Sequence, residues 1–262
     1  MEFLELIKPV YAASGFGVGL IVGLTGVGGG SLMTPILVLL FGINPAVAVG
    51  TDLLFAAVTK TAGTAMRGFN GTVNWGVVMR LAAGSVPTAL LTIALLSASK
   101  SNISQVAKLI SITLGCALLL TSLSLFFHKA VHAFALAADT NNLRARGFLT
   151  VLTGAILGLF VTVSSVGAGA LGVTALLLLY PRLRIAGIVG TDIAHAVPLT
   201  LVAGLGHAYA GFVDWEMLAA LLLGSIPGII IGSQLAPRAP ELTLRILLAC
   251  VLAAVGFKLV VS

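Results

Sequence analysis

Long apolar runs separated by short polar or glycine-rich breaks recur from Val10 to Val261. They lack the apolar and polar alternation of a membrane-barrel strand, so helices must carry them. The breaks divide the chain into helical segments at 10–25, 31–41, 45–66, 74–98 and 102–127, then at 147–163, 170–180, 185–208, 215–235 and 241–261. A spanning helix needs about 20 apolar residues. Segments 31–41 and 170–180 have about eleven, which at roughly 1.5 Å per residue cover about half of a hydrocarbon core ~30 Å thick. The pattern therefore predicts that the first two segments of each series form a re-entrant hairpin. Its glycine-rich tip must be packed in protein or line a cavity.

The second series repeats the first. At a shift of 140 residues Val49-Gly50-Thr51-Asp52 returns as Val189-Gly190-Thr191-Asp192, and Gly71-x-Val73-x-Trp75 as Gly211-x-Val213-x-Trp215. Asn74 is answered by Asp214, and Gly84-Ser85-x-Pro87 by Gly224-Ser225-x-Pro227. Earlier in the unit the shift is 139, where Val27-Gly28-Gly29-Gly30-x-Leu32 faces Val166-Gly167-Ala168-Gly169-x-Leu171. The expected organisation is a first membrane repeat over 1–127, a linker over 128–146 and a second repeat over 147–262, as in transporters built from internal repeats. A hairpin that returns to its starting side gives each half an odd number of crossings, so the repeats are expected to be inverted.

Composition agrees with a chain whose solvent is lipid: 59% hydrophobic and 8% charged residues, with a mean hydropathy of +1.16. The expected fold class is an all-α, polytopic integral membrane protein. Glu2 and Glu5 make the N-terminus acidic, unlike a cleavable signal, so the first segment is expected to be retained. Cys116 and Cys250 lie in apolar segments without a CxxC pattern, which argues against a disulfide or thiolate metal site and for small packing residues. The net charge of +6 does not point to nucleic acid, because the cations sit in loops flanking helices. Arg67, Lys129, Arg144, Arg146, Arg182, Arg184 and Arg238 fall on one side of the topology and Lys8 and Lys100 on the other. The positive-inside rule then makes the linker cytoplasmic, with both termini outside the inner membrane. A polar tether explains the charges of the linker itself.

The strongest local feature is Thr25-Gly26-Val27-Gly28-Gly29-Gly30-Ser31, with its counterpart Ser164-Ser165-Val166-Gly167-Ala168-Gly169-Ala170. Such runs break a helix and leave unpaired N–H groups at the start of the next short one, where the helix dipole favours an oxyanion. The candidate substrate-binding positions are Thr25, Gly28, Gly29, Gly30, Ser31, Ser165, Gly167, Ala168, Gly169 and Ala170. Close helix packing is the alternative use of the same glycines. Gly167-Ala168-Gly169-Ala170-Leu171-Gly172 also fits GxGxxG, with Asp192 about twenty residues on, but apolar helices replace the strand and βαβ unit that a dinucleotide site needs. No Walker A sequence occurs, and no cofactor or metal is expected.

Asp52, Lys60 and Asp192 are the ionisable residues deepest in the spans, with His195 one turn beyond Asp192, and such residues are functional candidates by default. For the aspartates two readings stand: they accept hydrogen bonds from the tip N–H groups and hold the tips in shape, or one of them carries a coupled proton. Lys60 is answered by Thr200 and suits anion attraction or gating, with snorkelling as the rival. His195 replaces Phe55 and suits a proton relay or a satisfied core position. Pro87 and Pro227 are expected to kink the fourth spans. Trp75 and Trp215 are expected at the interface. Gly15, Gly19 and Gly23, with Gly154 and Gly158, offer close helix contacts within or between subunits.

Taken together, the glycine-tipped hairpins, the Val-Gly-Thr-Asp starts of the third spans and the Gly-Ser-x-Pro elements of the fourth resemble the TauE/SafE family of sulfite-exporter-like permeases. The likeness covers nearly the whole chain. It implies export of sulfite, sulfoacetate or a related sulfur-containing anion, coupled to protons, with the lipid bilayer as surroundings and no enzymatic activity. Ala168 and Ala170 stand where Gly29 and Ser31 stand in the first half, which implies a less close fit of the anion at the second tip. An uncoupled small-anion channel using the same tips is the alternative, and a membrane enzyme or assembly scaffold is a third class. That class is weakened by the lack of any His, Cys or paired-carboxylate cluster in the sequence.

Overall fold

The structure, a computed structural model, describes residues 2–25, 30–69, 73–98, 103–127, 130–131, 133–134, 143–235 and 241–261. Side chains are described there except at 2–8, 25, 30–31, 62–63, 65–69, 103–106, 143–144 and 241–242. The tip glycines Gly28 and Gly29, the side chains of Thr25 and Ser31, and most of the linker lie outside the described residues.

The protein is all-helical, without a strand among the described residues. The helices are α1 (Glu2–Thr25), α2 (Gly30–Leu39), α3 (Pro45–Phe69), α4 (Trp75–Ala98), α5 (Ile103–Phe126), α6 (Leu143–Ser164), α7 (Ala170–Leu179), α8 (Ile185–Tyr209), α9 (Trp215–Leu235) and α10 (Glu241–Val261). Among the described residues, six stretches are long and apolar enough to cross a membrane: Trp75–Ala98, Ala107–Phe126, Ala145–Ser164, Ile185–Tyr209, Trp215–Leu235 and Thr243–Val261. Leu91, Leu95, Leu123, Leu223 and Leu247 on their outer faces are exposed. Apolar surface on that scale fits a polytopic membrane protein.

The helices of the two sequence repeats interleave, and the contacts come in exchanged pairs. α1 lies along α9, and its counterpart α6 lies along α4, while α3 packs on α8 and α5 on α10. The register is kept residue by residue. A methyl added at Gly15 would overlap the backbone of Leu221, and one at Gly154 would overlap Leu81; Gly19 meets Ser225 as Gly158 meets Ser85. Gly84 is pressed on Val151 and Gly224 on Ala12. Only a hydrogen in place of Cβ permits these backbones to touch.

The same exchange ties the ends of the spans. The Asp214 N–H donates to Thr51 Oγ1 at 3.1 Å, and the Asn74 N–H donates to Thr191 Oγ1 at 3.0 Å. Asn74 and Asp214 are the N-caps of α4 and α9, their Oδ1 atoms accepting from Val77 N–H at 3.2 Å and Met217 N–H at 2.9 Å. Each third-span threonine thus holds the cap of the other repeat's fourth span, which accounts for Thr in both Val-Gly-Thr-Asp elements.

α3 and α8 run antiparallel, Gly50 lying against His207 and Leu54 against Gly204. α5 and α10 do the same, with Gly115 against Val260 and the Ser122 hydroxyl donating to the Ala249 carbonyl at 2.8 Å. α4 and α9 continue through Pro87 and Pro227. Trp75 and Trp215 open these helices and are exposed. Cys116 and Cys250 correct the expectation of small packing residues: both are free and exposed, on the outer faces of α5 and α10. Apolar sequence around a residue does not distinguish a lipid-facing position from a core one when the solvent itself is apolar.

Candidate functional site

The chemistry concentrates where the middle of α3 and the first half of α8 meet the loop between α6 and α7. That loop, Ser165–Gly169, is buried throughout. The Ser164 hydroxyl closes the end of α6 by donating to the Phe160 carbonyl at 2.6 Å and accepting from Val166 N–H at 3.2 Å. Ser165 then takes φ 58°, a left-handed conformation uncommon outside glycine, and Gly167 and Gly169 follow at φ 124° and 149°. α7 starts behind Gly169, which as N-cap brings no side chain to its first N–H groups. The Gly172 N–H reaches back to the Gly167 carbonyl at 2.9 Å, which holds the loop tight.

Lys60 meets this loop from α3. It is 6% exposed, and its Nζ donates to the Ala168 carbonyl at 2.6 Å. The stem therefore runs inward to a backbone carbonyl rather than outward to an interface. Lys60 is the one buried lysine or arginine among the described residues, and its charge acts on both Asp192 and Asp52. Because α3 and α8 are antiparallel, the two aspartates, each in the second turn of its helix, lie toward opposite ends of the pair with Lys60 between them.

The aspartates occupy matching positions but not matching surroundings. One Asp52 oxygen, Oδ2, accepts from the Thr34 N–H at 3.2 Å and the Thr34 hydroxyl at 2.5 Å, tying α3 to α2. The other Asp52 oxygen, Oδ1, and the Ser165 hydroxyl of the second tip have no hydrogen-bond partner among the described residues. Asp192 is equally buried, yet neither of its oxygens has a hydrogen-bond partner among the described residues. Of the two readings of the aspartates, the one in which they accept from tip N–H groups finds no such bond at Asp192 among the described residues. The cause is local: at the shift of 139 residues Val173, without a hydroxyl, answers Thr34, and Asp192 Oδ1 instead packs over the Cα of Gly172.

His195 Nε2 and Ser85 Oγ are 2.8 Å apart, linking α8 to α4. Across the pseudosymmetry Phe55 stands for His195, and the Ser225 hydroxyl is left buried without a partner among the described residues. Thr200, which answers Lys60, turns its hydroxyl onto the Ala196 carbonyl at 2.8 Å. Of the expected positions, Lys60, Asp52, Asp192, Ser165, Gly167, Ala168, Gly169 and Ala170 gather around the second tip; the first tip, with Gly28 and Gly29, lies outside the described residues. Sequence patterns did not single out Thr34, or His207, whose Nε2–H donates to the Thr162 carbonyl at 2.9 Å near the end of α6. Both are polar residues in apolar helices, which is the one signal they carry.

The profile of the sulfite exporter TauE/SafE family matches residues 11–259. The chain belongs to that family. The chain is 40% identical over 251 residues to a probable membrane transporter protein, YjnA, of Bacillus subtilis, covering 94% of this chain and 97% of the relative. A second Bacillus subtilis probable membrane transporter protein, YdhB, is 25% identical over 231 residues, 88% of this chain and 91% of its own. A probable membrane transporter protein of Xylella fastidiosa is 27% identical over 234 residues, covering 87% and 85% of the two chains. No solved structure matches the chain. The resemblance drawn from the sequence alone and the membrane-transporter class therefore stand.

Proposed function

We propose that this TauE/SafE protein is a secondary transporter that exports a small sulfur-containing anion, such as sulfite or sulfoacetate, by alternating access coupled to protons. The observation that carries the reading is the Lys60–Ala168 contact: a buried cation on the third span of one repeat seated on the broken-helix tip of the other. An ammonium and the open N-terminus of α7 supply positive potential in a low-dielectric interior, where a small oxyanion needs it.

The helix packing supports inverted repeats. α3 and α8 are counterparts that run antiparallel, as are α5 and α10, and counterparts of opposite direction are what a pseudo-twofold axis in the membrane plane would produce. α2 and α7 have 10 residues each, about 15 Å of helix. The second tip lies level with the middle of α3, which supports a hairpin that turns back within the bilayer. The Thr150 and Tyr180 hydroxyls are 2.8 Å apart, which brings Arg146, Arg182 and Arg184 to one end of the helices and, by the positive-inside rule, supports a cytoplasmic linker in the inner membrane and both termini outside.

Reconstitution into liposomes tests the reading. Labelled sulfite and sulfoacetate should cross with the protein, faster with a pH gradient than without, and Lys60→Ala should lower that flux at unchanged folded yield. No flux for any oxyanion would sink the proposal. Currents that reverse at the anion's Nernst potential and ignore the pH gradient would make the protein a channel instead.

A further inference from the structure

We propose that Asp192 alone carries the coupling proton, and that Lys60 senses its charge and thereby controls the hold on the second tip. The inference rests on the proton-coupled reading above and divides a role that the two matching aspartates could share.

Asp52 is the better provided for of the two: two donors from Thr34 meet its Oδ2, while its Oδ1 has no partner among the described residues. Asp192 is 1% exposed, and among the described residues no donor meets either oxygen. A buried carboxylate with no hydrogen bond is tolerable when neutral and costly when charged. Charge balance calls for one carboxylate against the single buried ammonium, Lys60, and the Thr34 hydrogen bonds favour Asp52 as that carboxylate.

The other buried titratable groups in the described surroundings each have at least one hydrogen-bond partner. α7, packed against α8, has no titratable residue between Ala170 and Leu179. α4 presents the Ser85 hydroxyl, and its Arg80 is exposed; α6 has arginines only at 144 and 146, in its first turn. On α8 itself His195 Nε2 is engaged with Ser85 and His207 Nε2 with the Thr162 carbonyl, while Nδ1 of each has no partner among the described residues. From α3 come Asp52 and Lys60, and Lys60 is the charge that acts on Asp192. Gly172 completes the site, because a Cβ there would occupy the space of the carboxylate.

The step is a single proton transfer. With the proton on, Asp192 is neutral and the Lys60 ammonium stays on the Ala168 carbonyl. With the proton off, a carboxylate charge competes for the ammonium, and the bond that joins α3 to the tip of the other repeat weakens. Lys60 is the positioning residue that converts proton occupancy into tip attachment.

Infrared difference spectra of the full chain in lipid, recorded as pH is stepped, test this without any substrate, so a failed sulfite assay does not touch the outcome. The expected result is a protonated-carboxyl band that titrates, that Asp192→Asn removes and that Asp52→Asn keeps. Lys60→Met should move the titration midpoint by about one pH unit or more. A band that survives Asp192→Asn, no such band at any pH, or a midpoint indifferent to Lys60→Met overturns the proposal. Should Asp192→Asn fail to fold, carbon-13 labelling of aspartate in Asp52→Asn decides. Asp192 is then the one buried aspartate among the described residues, and a band that ignores the label is equally fatal.

Discussion

α3 and α8 carry the same Val-Gly-Thr-Asp element at the same turn, and the structure uses its threonine identically and its aspartate differently. Thr51 and Thr191 each hold the cap of the opposite fourth span at near-equal distances. Asp52 is bonded to Thr34, whereas Asp192 is bonded to nothing among the described residues. Beyond them Lys60 faces the tip of the other repeat while Thr200 bonds its own helix. The comparison separates two layers in one duplicated sequence: a frame of small residues and caps that obeys the pseudosymmetry, and an interior of polar residues that departs from it. On the alternating-access reading proposed above, the first would serve rocking and the second would bind one substrate at one place.

The frame is where substitution should do the most damage. Gly84→Leu and Gly224→Leu each drive a side chain into the backbone of α6 or α1 and should abolish recovery of monodisperse protein. The milder Gly84→Ala and Gly224→Ala should each cost about 1–3 kcal/mol by overpacking, seen as lower melting temperatures in detergent. Near-equal losses are expected from the pair; a loss at one site and none at the other breaks the symmetric frame.

Lys60 should show the opposite behaviour, a large functional effect with no symmetric counterpart. Lys60→Met is expected to lower labelled-sulfite flux by tenfold or more, on the order of the 1.4 kcal/mol that a buried charge contact readily supplies. Thr200→Val, at the matching place on α8, should stay within about twofold, since it removes only a helix-internal bond of about 0.5–1.5 kcal/mol. Equal losses from both variants would mean that the interior is symmetric in function after all.

The threonine caps come next. Thr51→Val and Thr191→Val leave the N–H of Asp214 or Asn74 without its acceptor, at a cost of about 1–2 kcal/mol each. Matched shifts in melting temperature are the expected result, and the double variant should be additive because the two caps share no partner.

Much of this frame is legible in the residue pattern. Apolar runs mark the described helices to within a few residues, except that α1 begins near Glu2 rather than at 10. The offset of 140 matches Thr51 with Thr191 and Asn74 with Asp214, although not which of them meet. Segment length sets α2 and α7 apart, and depth in the spans picks out Asp52, Lys60 and Asp192. The pattern does not carry who meets whom across the repeats. Lys60 and Ala168 are 108 residues apart, and only packing brings them together. Nor can sequence tell a lipid-facing Cys116 from a buried one, since both environments are apolar, or show that Val173 in place of Thr34 leaves Asp192 unbonded.

The finest test of the two layers is the pair of serines in the Gly-Ser-x-Pro elements. Ser85 meets His195, and Ser225, facing the repeat that has Phe55 there, meets no partner among the described residues. Ser85→Ala should therefore destabilise by about 1–2 kcal/mol, because it strands a buried ring nitrogen. Ser225→Ala should be neutral or stabilising by up to about 1 kcal/mol, since it removes a buried hydroxyl that has no partner. The sign of the difference matters more than its size. Identical residues in identical motifs should respond oppositely to the same change, and equal destabilisation would mean that Ser225 holds a partner which the pseudosymmetric packing does not reveal.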